Sequence, residues 1–183
     1  QFFKDNGAIY DADTRHLVSS TRFIFNYAKA YIAQGKAEYL EATRHGLGYL
    51  RTRHRQENGG YVWLLNKANN LDETNHCYGL AFVLLAYSTA LKAGVTETKP
   101  WIQETFELME EHFWDKEFGL YMDEISSDWQ RVSPYRGQNA NMHTCEALIA
   151  AYDATQQKHY LERAMLLAEH ICLRQADLAG GEI

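Results

Sequence analysis

Glycine turns with apolar flanks recur along the chain at Gly59 to Trp63, Phe118 to Tyr121 and Gly180 to Ile183, with Gly60, Gly119 and Gly181 about sixty residues apart. This repeat restricts the fold more than any other feature. Between the turns, apolar periodicity predicts six helices in pairs, over 16–33 and 36–54, 75–93 and 98–114, and 141–156 and 158–174, with few strand signals. The first member of a pair is apolar nearly all round, as from Ala81 to Tyr87 and Ala147 to Tyr152, which suits a helix buried on every side. The second is one-faced: Tyr39, Leu40, Leu47 and Leu50 oppose Glu38, Glu41, Arg44 and Arg51, and Trp101, Ile102, Phe106 and Met109 oppose Gln103, Glu104, Glu107 and Glu110.

Inner and outer helices therefore alternate in three diverged copies of one hairpin, spanning about 14–72, 73–135 and 136–183 of a single domain. Tyr39-Leu40-Glu41 returning as Tyr160-Leu161-Glu162 supports the count. Successive hairpins build either an open solenoid or a closed α/α toroid, with the glycine and aromatic stretches forming short β-hairpins or loops at one rim. Three hairpins do not close a ring, and the first inner helix would keep an open apolar flank. The expected fold is all-α, half of an (α/α)6 barrel that the chain only partly spans; a small three-repeat helical domain is the alternative.

Composition narrows the partners. A formal net charge of −6 over 183 residues disfavours nucleic acid and anionic membrane surfaces but is neutral toward a small uncharged ligand. The longest apolar runs, such as Gly79 to Tyr87, are too short to span a bilayer, and the first residues do not form a signal peptide. Three cysteines, Cys77, Cys145 and Cys172, lack the even, loop-rich spacing of a disulfide framework, so a reducing, cytoplasmic location is expected. A homodimer is compatible with this composition.

The repeat also shows which polar residues share a position. Arg22 lies 38 residues before Gly60, Tyr78 lies 41 before Gly119, and His143 lies 38 before Gly181. Each falls in the first turns of an inner helix, so a toroid would aim all three at one mouth of its axis. Asn139, four residues before His143, reaches the same mouth from the first turn or the leading loop. Arginine offers fixed donors, asparagine donates and accepts, tyrosine brings a ring edge and a hydroxyl, and histidine can donate, accept or carry a proton. That mixture suits an uncharged polyol.

Other polar groups carry less. His143 and Glu146 could share a helical face as metal ligands, but no third ligand stands at a recognisable spacing, and Glu146 serves better to orient His143 or to cap a helix. Asp72 or Thr74 is the expected N-cap of the second inner helix, close to His76. Arg44, His45, Arg51, Arg53, His54 and Arg55 read as a solvated face. Trp63, Trp114 and Trp129 are available for sugar stacking or for packing.

Ser19 to Phe23, Tyr78 to Phe82 and Arg136 to His143 occur in an order and at separations that resemble the N-acylglucosamine 2-epimerase family, which includes cellobiose 2-epimerases and mannose-type aldose–ketose isomerases. The resemblance covers the whole chain but only the N-terminal half of a family member. It implies an (α/α)6 barrel, an unphosphorylated reducing sugar as substrate, no cofactor, and substrate contacts from Arg22, Tyr78, Asn139 and His143, with Arg22 or His143 as an auxiliary catalytic group. It further implies proton abstraction at C2 through an enediol or enolate by two histidines in the family's C-terminal half, so that this chain alone is expected to be inactive. Leu80 departs from the Gln or His that relatives carry there, which leaves the sugar open. Two other classes stand beside this one. An (α/α)6 glycoside hydrolase would need paired carboxylates where this chain has Arg, Tyr and His. A non-catalytic helical-repeat binding module would need none of them.

Overall fold

The computed structural model describes residues 2–174, so the third glycine turn, at Gly181, lies outside the described residues. Three long helices alternate with three others, as the periodicity requires. The inner set is α1 (Leu17–Gln34), α3 (Cys77–Lys92) and α5 (Gln138–Thr155); the outer set is α2 (Ala37–Tyr49), α4 (Lys99–His112) and α6 (Lys158–Glu169). Segments of π-helix at Leu50–His54 and His170–Arg174 extend α2 and α6. Each inner helix packs on the outer helix that follows it, and α3 lies between α1 and α5. The tight inner-to-outer turns use a left-handed residue, Gly35 (φ 69°) after α1 and Gln156 (φ 60°) after α5.

Position in this arc decides burial. Thirteen of the sixteen residues of α3 are buried, because it has a neighbour on both sides as well as α4 behind it. Helices α1 and α5 are covered less: Met142 and Ile149 on α5, with Met165 and Leu173 on the following outer segment, are exposed along the last hairpin. The core joins Leu17 and Ile24 of α1, Leu80, Val83, Leu84 and Tyr87 of α3, and Ala147, Leu148 and Ala151 of α5 to Leu47, Ile102, Met109, Tyr160 and Leu167 of the outer layer.

Short antiparallel strands form the rim. They are β1 (Phe2–Phe3) with β2 (Ile9–Asp11); β3 (Arg15–His16), β4 (Leu64–Leu65) and β5 (Asn70–Asp72) in one three-stranded sheet; β6 (Asn75–His76) with β9 (Glu124–Ile125); and β7 (Trp114–Asp115) with β8 (Leu120–Tyr121). Strands β3 and β6 run directly into α1 and α3, so the rim sits at the N-terminal ends of the inner helices. The Gly119 turn is a β-hairpin as expected, in register Trp114 to Tyr121. Gly119 has φ 65°, and a Cβ there would overlap the imidazole of His170, whose Nδ1 lies 2.9 Å from the Phe118 carbonyl oxygen.

Two local expectations are corrected. The run from Arg44 to Arg55 is a solvated face only in part: Arg44, His45 and Arg53 are exposed, Arg44 pairing with Glu97 and Arg53 bonding the carbonyls of Asn66 and Lys67, whereas Arg51 and Arg55 pair with Glu104 in a half-buried seam between hairpins and His54 is fully buried. The seven-residue spacing that puts Arg44 and Arg51 on one helix face aims the first at the turn leading into α4 and the second at α4 itself. Asp72 does not cap α3; its carboxylate accepts from the Thr74 N–H at 2.9 Å within the rim, and His76 is the cap residue.

Candidate active site

The polar run from Arg136 to His143 divides its work between two faces of the start of α5. Arg136 is turned to the rim, where it holds Asp115, donates to the Pro134 carbonyl at 2.7 Å and lies over the Phe118 ring. Asp115 is held below the usual carboxylate range chiefly by that arginine. Gly137 caps the helix, donating its N–H to Asp123 at 2.6 Å, and a Cβ at this position would meet that carboxylate. Buried Asn141 completes the anchor: its Oδ1 accepts from the Tyr121 N–H at 2.7 Å, and its Nδ2 donates to the carbonyls of Tyr121 and Gly137 at 3.0 and 2.9 Å. Asn139 and His143 are spent on none of this. They are one turn apart on α5, with Asn139 exposed in the first turn of the helix itself.

The first turns of the three inner helices meet around one ring. The Arg22 guanidinium carbon is 4.5 Å from the centroid of Phe82; His143 is 4.9 Å from the same ring, and Tyr78 is 5.0 Å from it. Tyr78 and His143 also meet edge to face at 5.2 Å. Arg22, Tyr78 and His143, chosen by repeat phase, are thus gathered from α1, α3 and α5 into one cluster. The phase itself needs adjusting. Arg22, Phe82 and His143 are each the sixth residue of their helices, while Tyr78 and Asn139 are each the second. The 41-residue interval from Tyr78 to Gly119 differs from the two intervals of 38, but the residue 38 before Gly119 is Ala81, so the glycine spacing does not single out Phe82.

Arg22 is exposed, Tyr78 and His143 are half-buried, and Phe82 lies under these three at 4% exposure, while Asn139 is exposed one turn before His143 and makes no hydrogen bond or ring contact with the cluster among the described residues. The site is therefore a polar layer on an apolar floor. Its histidine is oriented from its own helix, since Nδ1 of His143 is 2.9 Å from Oε2 of Glu146. Toward the rim the cluster continues through Trp63, 6.5 Å from Tyr78, to His76 at 4.0 Å and His16 at 4.2 Å from the indole. Burial lowers the pKa of both histidines, in His76 against the opposing pull of Glu124 3.4 Å away. Nothing in the repeat phase pointed to His16, because it belongs to the strand that feeds α1. Trp114 and Trp129 are taken up elsewhere, Trp114 against Tyr121 and Arg163, and Trp129 stacked on His112.

Among the described residues, no three His, Cys, Asp or Glu side chains converge as a metal-ligand set, and no helix is long and apolar enough to cross a membrane.

The chain and its fold have known relatives. The family model for N-acylglucosamine 2-epimerase matches residues 1–183. A D-mannose isomerase of Marinomonas mediterranea is 64% identical over 179 residues, which are 98% of this chain and 45% of that protein. A cellobiose 2-epimerase of Dictyoglomus turgidum is 27% identical over 173 residues, 85% of this chain and 44% of the relative. The chain thus spans about half the length of the curated relatives it matches. A crystal structure of a D-mannose isomerase superposes with a TM-score of 0.94 at 65% identity, covering 97% of this chain and 46% of that one. A family 76 α-mannanase of Bacteroides thetaiotaomicron superposes with a TM-score of 0.75 at 15% identity, covering 88% of this chain and 45% of that one, a likeness of fold alone.

Proposed function

The chain belongs to the N-acylglucosamine 2-epimerase family, and from that premise we propose that its parent protein isomerises an unphosphorylated reducing sugar, with mannose as the first candidate. The observation that carries the proposal is the convergence of Arg22, Tyr78 and His143 on the ring of Phe82. Donors and acceptors held together on a buried ring suit a sugar, whose hydroxyls need fixed polar partners. The 64% identity to a D-mannose isomerase favours mannose over cellobiose.

In the proposed reaction the open-chain aldose is held by Arg22, Tyr78, Asn139 and His143. A base removes the C2 proton, the electron pair moves into the C1–C2 bond, and the C1 carbonyl oxygen becomes an enolate oxygen. A fixed cationic donor such as Arg22 lowers the energy of that charge most where it develops. Return of a proton to C1, with transfer of the O2 proton to O1, gives the ketose; return to C2 on the opposite face gives the epimer. The proton-transfer groups are proposed to lie in the half of the family fold that these 183 residues do not span, and the exposed flank at Met142, Ile149, Met165 and Leu173 is where further hairpins would pack. The chain alone is then expected to bind sugar without turnover, since positioned proton transfer contributes roughly a hundredfold to ten-thousandfold.

The glycosidase reading finds less support. Two carboxylates would have to flank a scissile bond, whereas Glu146 is engaged by His143 and Glu124 stands at the rim beside His76.

Incubating the full-length protein with mannose, cellobiose or N-acetylglucosamine in heavy water tests the proposal. Deuterium should enter mannose or its ketose at C2 or C1. Absence of label from every recovered sugar would reject it, and release of a new reducing end from a mannan would favour the hydrolase.

A further inference from the structure

His143 has one nitrogen committed before any ligand arrives. Its Nδ1 lies 2.9 Å from Oε2 of Glu146, one turn along α5, and a carboxylate has acceptor oxygens only. In the neutral ring the proton must therefore sit on Nδ1, which leaves Nε2 with a lone pair and no hydrogen. The ring is also confined, with Tyr78 set edge-on at 87° and 5.2 Å and Phe82 tilted at 44° and 4.9 Å. The tautomer is therefore set by this contact. Glu146 is 54% exposed and makes no other hydrogen bond or ion pair among the described residues, so orienting His143 is the one task its placement serves.

We propose that Glu146 is a positioning residue that fixes His143 as the Nδ1-protonated tautomer, so that Nε2 meets the sugar as a hydrogen-bond acceptor and Arg22 is left as the donor to the sugar's carbonyl oxygen. The division of labour follows from the atoms. A neutral histidine with a bare Nε2 cannot donate to a carbonyl or stabilise an enolate oxygen, but it can accept from a substrate hydroxyl and so fix which hydroxyl stands opposite it. A guanidinium has donors and no acceptor, and Arg22 is held over the same ring at 4.5 Å. The assignment to the two sugar atoms rests on the function proposed above; the tautomer does not.

The test is nitrogen NMR of full-length protein labelled with ¹⁵N-histidine, with His143 identified by its loss in His143→Gln, recorded at a pH where the ring is neutral. The wild-type spectrum should show Nδ1 as the protonated nitrogen. In Glu146→Ala the ratio of the two tautomers should shift toward Nε2–H by about threefold to tenfold, the bias expected of one partly exposed hydrogen bond. Because Glu146 is exposed, the substitution leaves the fold intact. An Nε2-protonated wild type, or a ratio unchanged in Glu146→Ala, overturns the proposal. A protein that turns over no sugar would overturn the functional reading instead, while the spectrum still decides the tautomer.

Discussion

Arg22 of α1 rests on Phe82 of α3, its guanidinium carbon 4.5 Å from the ring centroid, and the same ring meets His143 of α5 at 4.9 Å. One buried side chain thus sets the positions of two polar ones that belong to different hairpins. Replacing Phe82 with Leu keeps the floor apolar but removes the ring. We expect a stability loss of about 1 to 2 kcal/mol, and a fall in kcat/KM of about tenfold, since a cation–π contact of roughly 1 kcal/mol and the orientation of two groups are lost together. Urea unfolding and steady-state kinetics on the full-length protein measure the two effects. An unchanged kcat/KM would show that the ring is filler.

Asn139 and Asn141 separate the two faces of the same helix start. Asn141→Ala strands the Tyr121 amide and carbonyl, which Asn141 pairs as a strand would, and should cost about 2 to 4 kcal/mol. Asn139→Ala, at an exposed position, should change stability by less than about 0.5 kcal/mol while weakening sugar binding. Thermal unfolding paired with sugar titration checks both. Equal stability losses would contradict the division.

His54 makes stability depend on pH. Buried between Ser20 Oγ at 2.9 Å and the Val62 carbonyl oxygen at 2.8 Å, it is lowered from 6.5 to about 4, mainly by burial. The unfolded chain therefore takes up the proton first as pH falls below 6.5, and stability is lost progressively down to about 4 and levels off beneath it. The loss should approach about 3 kcal/mol, with His16 and His76 adding in the same direction. Urea midpoints across this range should fall with acidification, and His54→Gln should flatten the slope. A slope identical in that variant would remove His54 as its source.

Gly119 is required twice over, by φ 65° and by the His170 imidazole standing where a Cβ would go. Gly119→Ala should destabilise by about 2 to 4 kcal/mol, and the smaller side chain of Gly119→Ala/His170→Ala should recover part of it. Differential scanning calorimetry of the three variants reads the coupling. No recovery in the double variant would mean that backbone strain alone is responsible.

Much of this was legible in the chain. Apolar periodicity located all six helices to within a few residues, the glycine spacing gave the repeat, and repeat phase brought Arg22, Tyr78 and His143 together. The rest was not legible for identifiable reasons. Phe82 reads as one apolar residue in an apolar helix, because a ring that carries polar neighbours looks in sequence like a ring that fills a core. His16 joins the rim through strand pairing with β4 across almost fifty residues, a contact with no local periodicity. Arg44 and Arg51 look solvated because their partners, Glu97 just before α4 and Glu104 on it, lie about fifty residues away.

The sequence by itself determined the alternation of inner and outer helices and the family, since both depend on local periodicity and on short motifs. The tertiary structure decided which polar residues anchor the rim and which do not. Arg136 and Asn141 stand beside Asn139 and His143 in one nine-residue run, and the chemistry of an arginine or an asparagine is the same on either face. Only the direction of α5 against the rim and against α3 commits the first pair to Asp115 and Tyr121, sets His143 beside Phe82 and leaves Asn139 exposed.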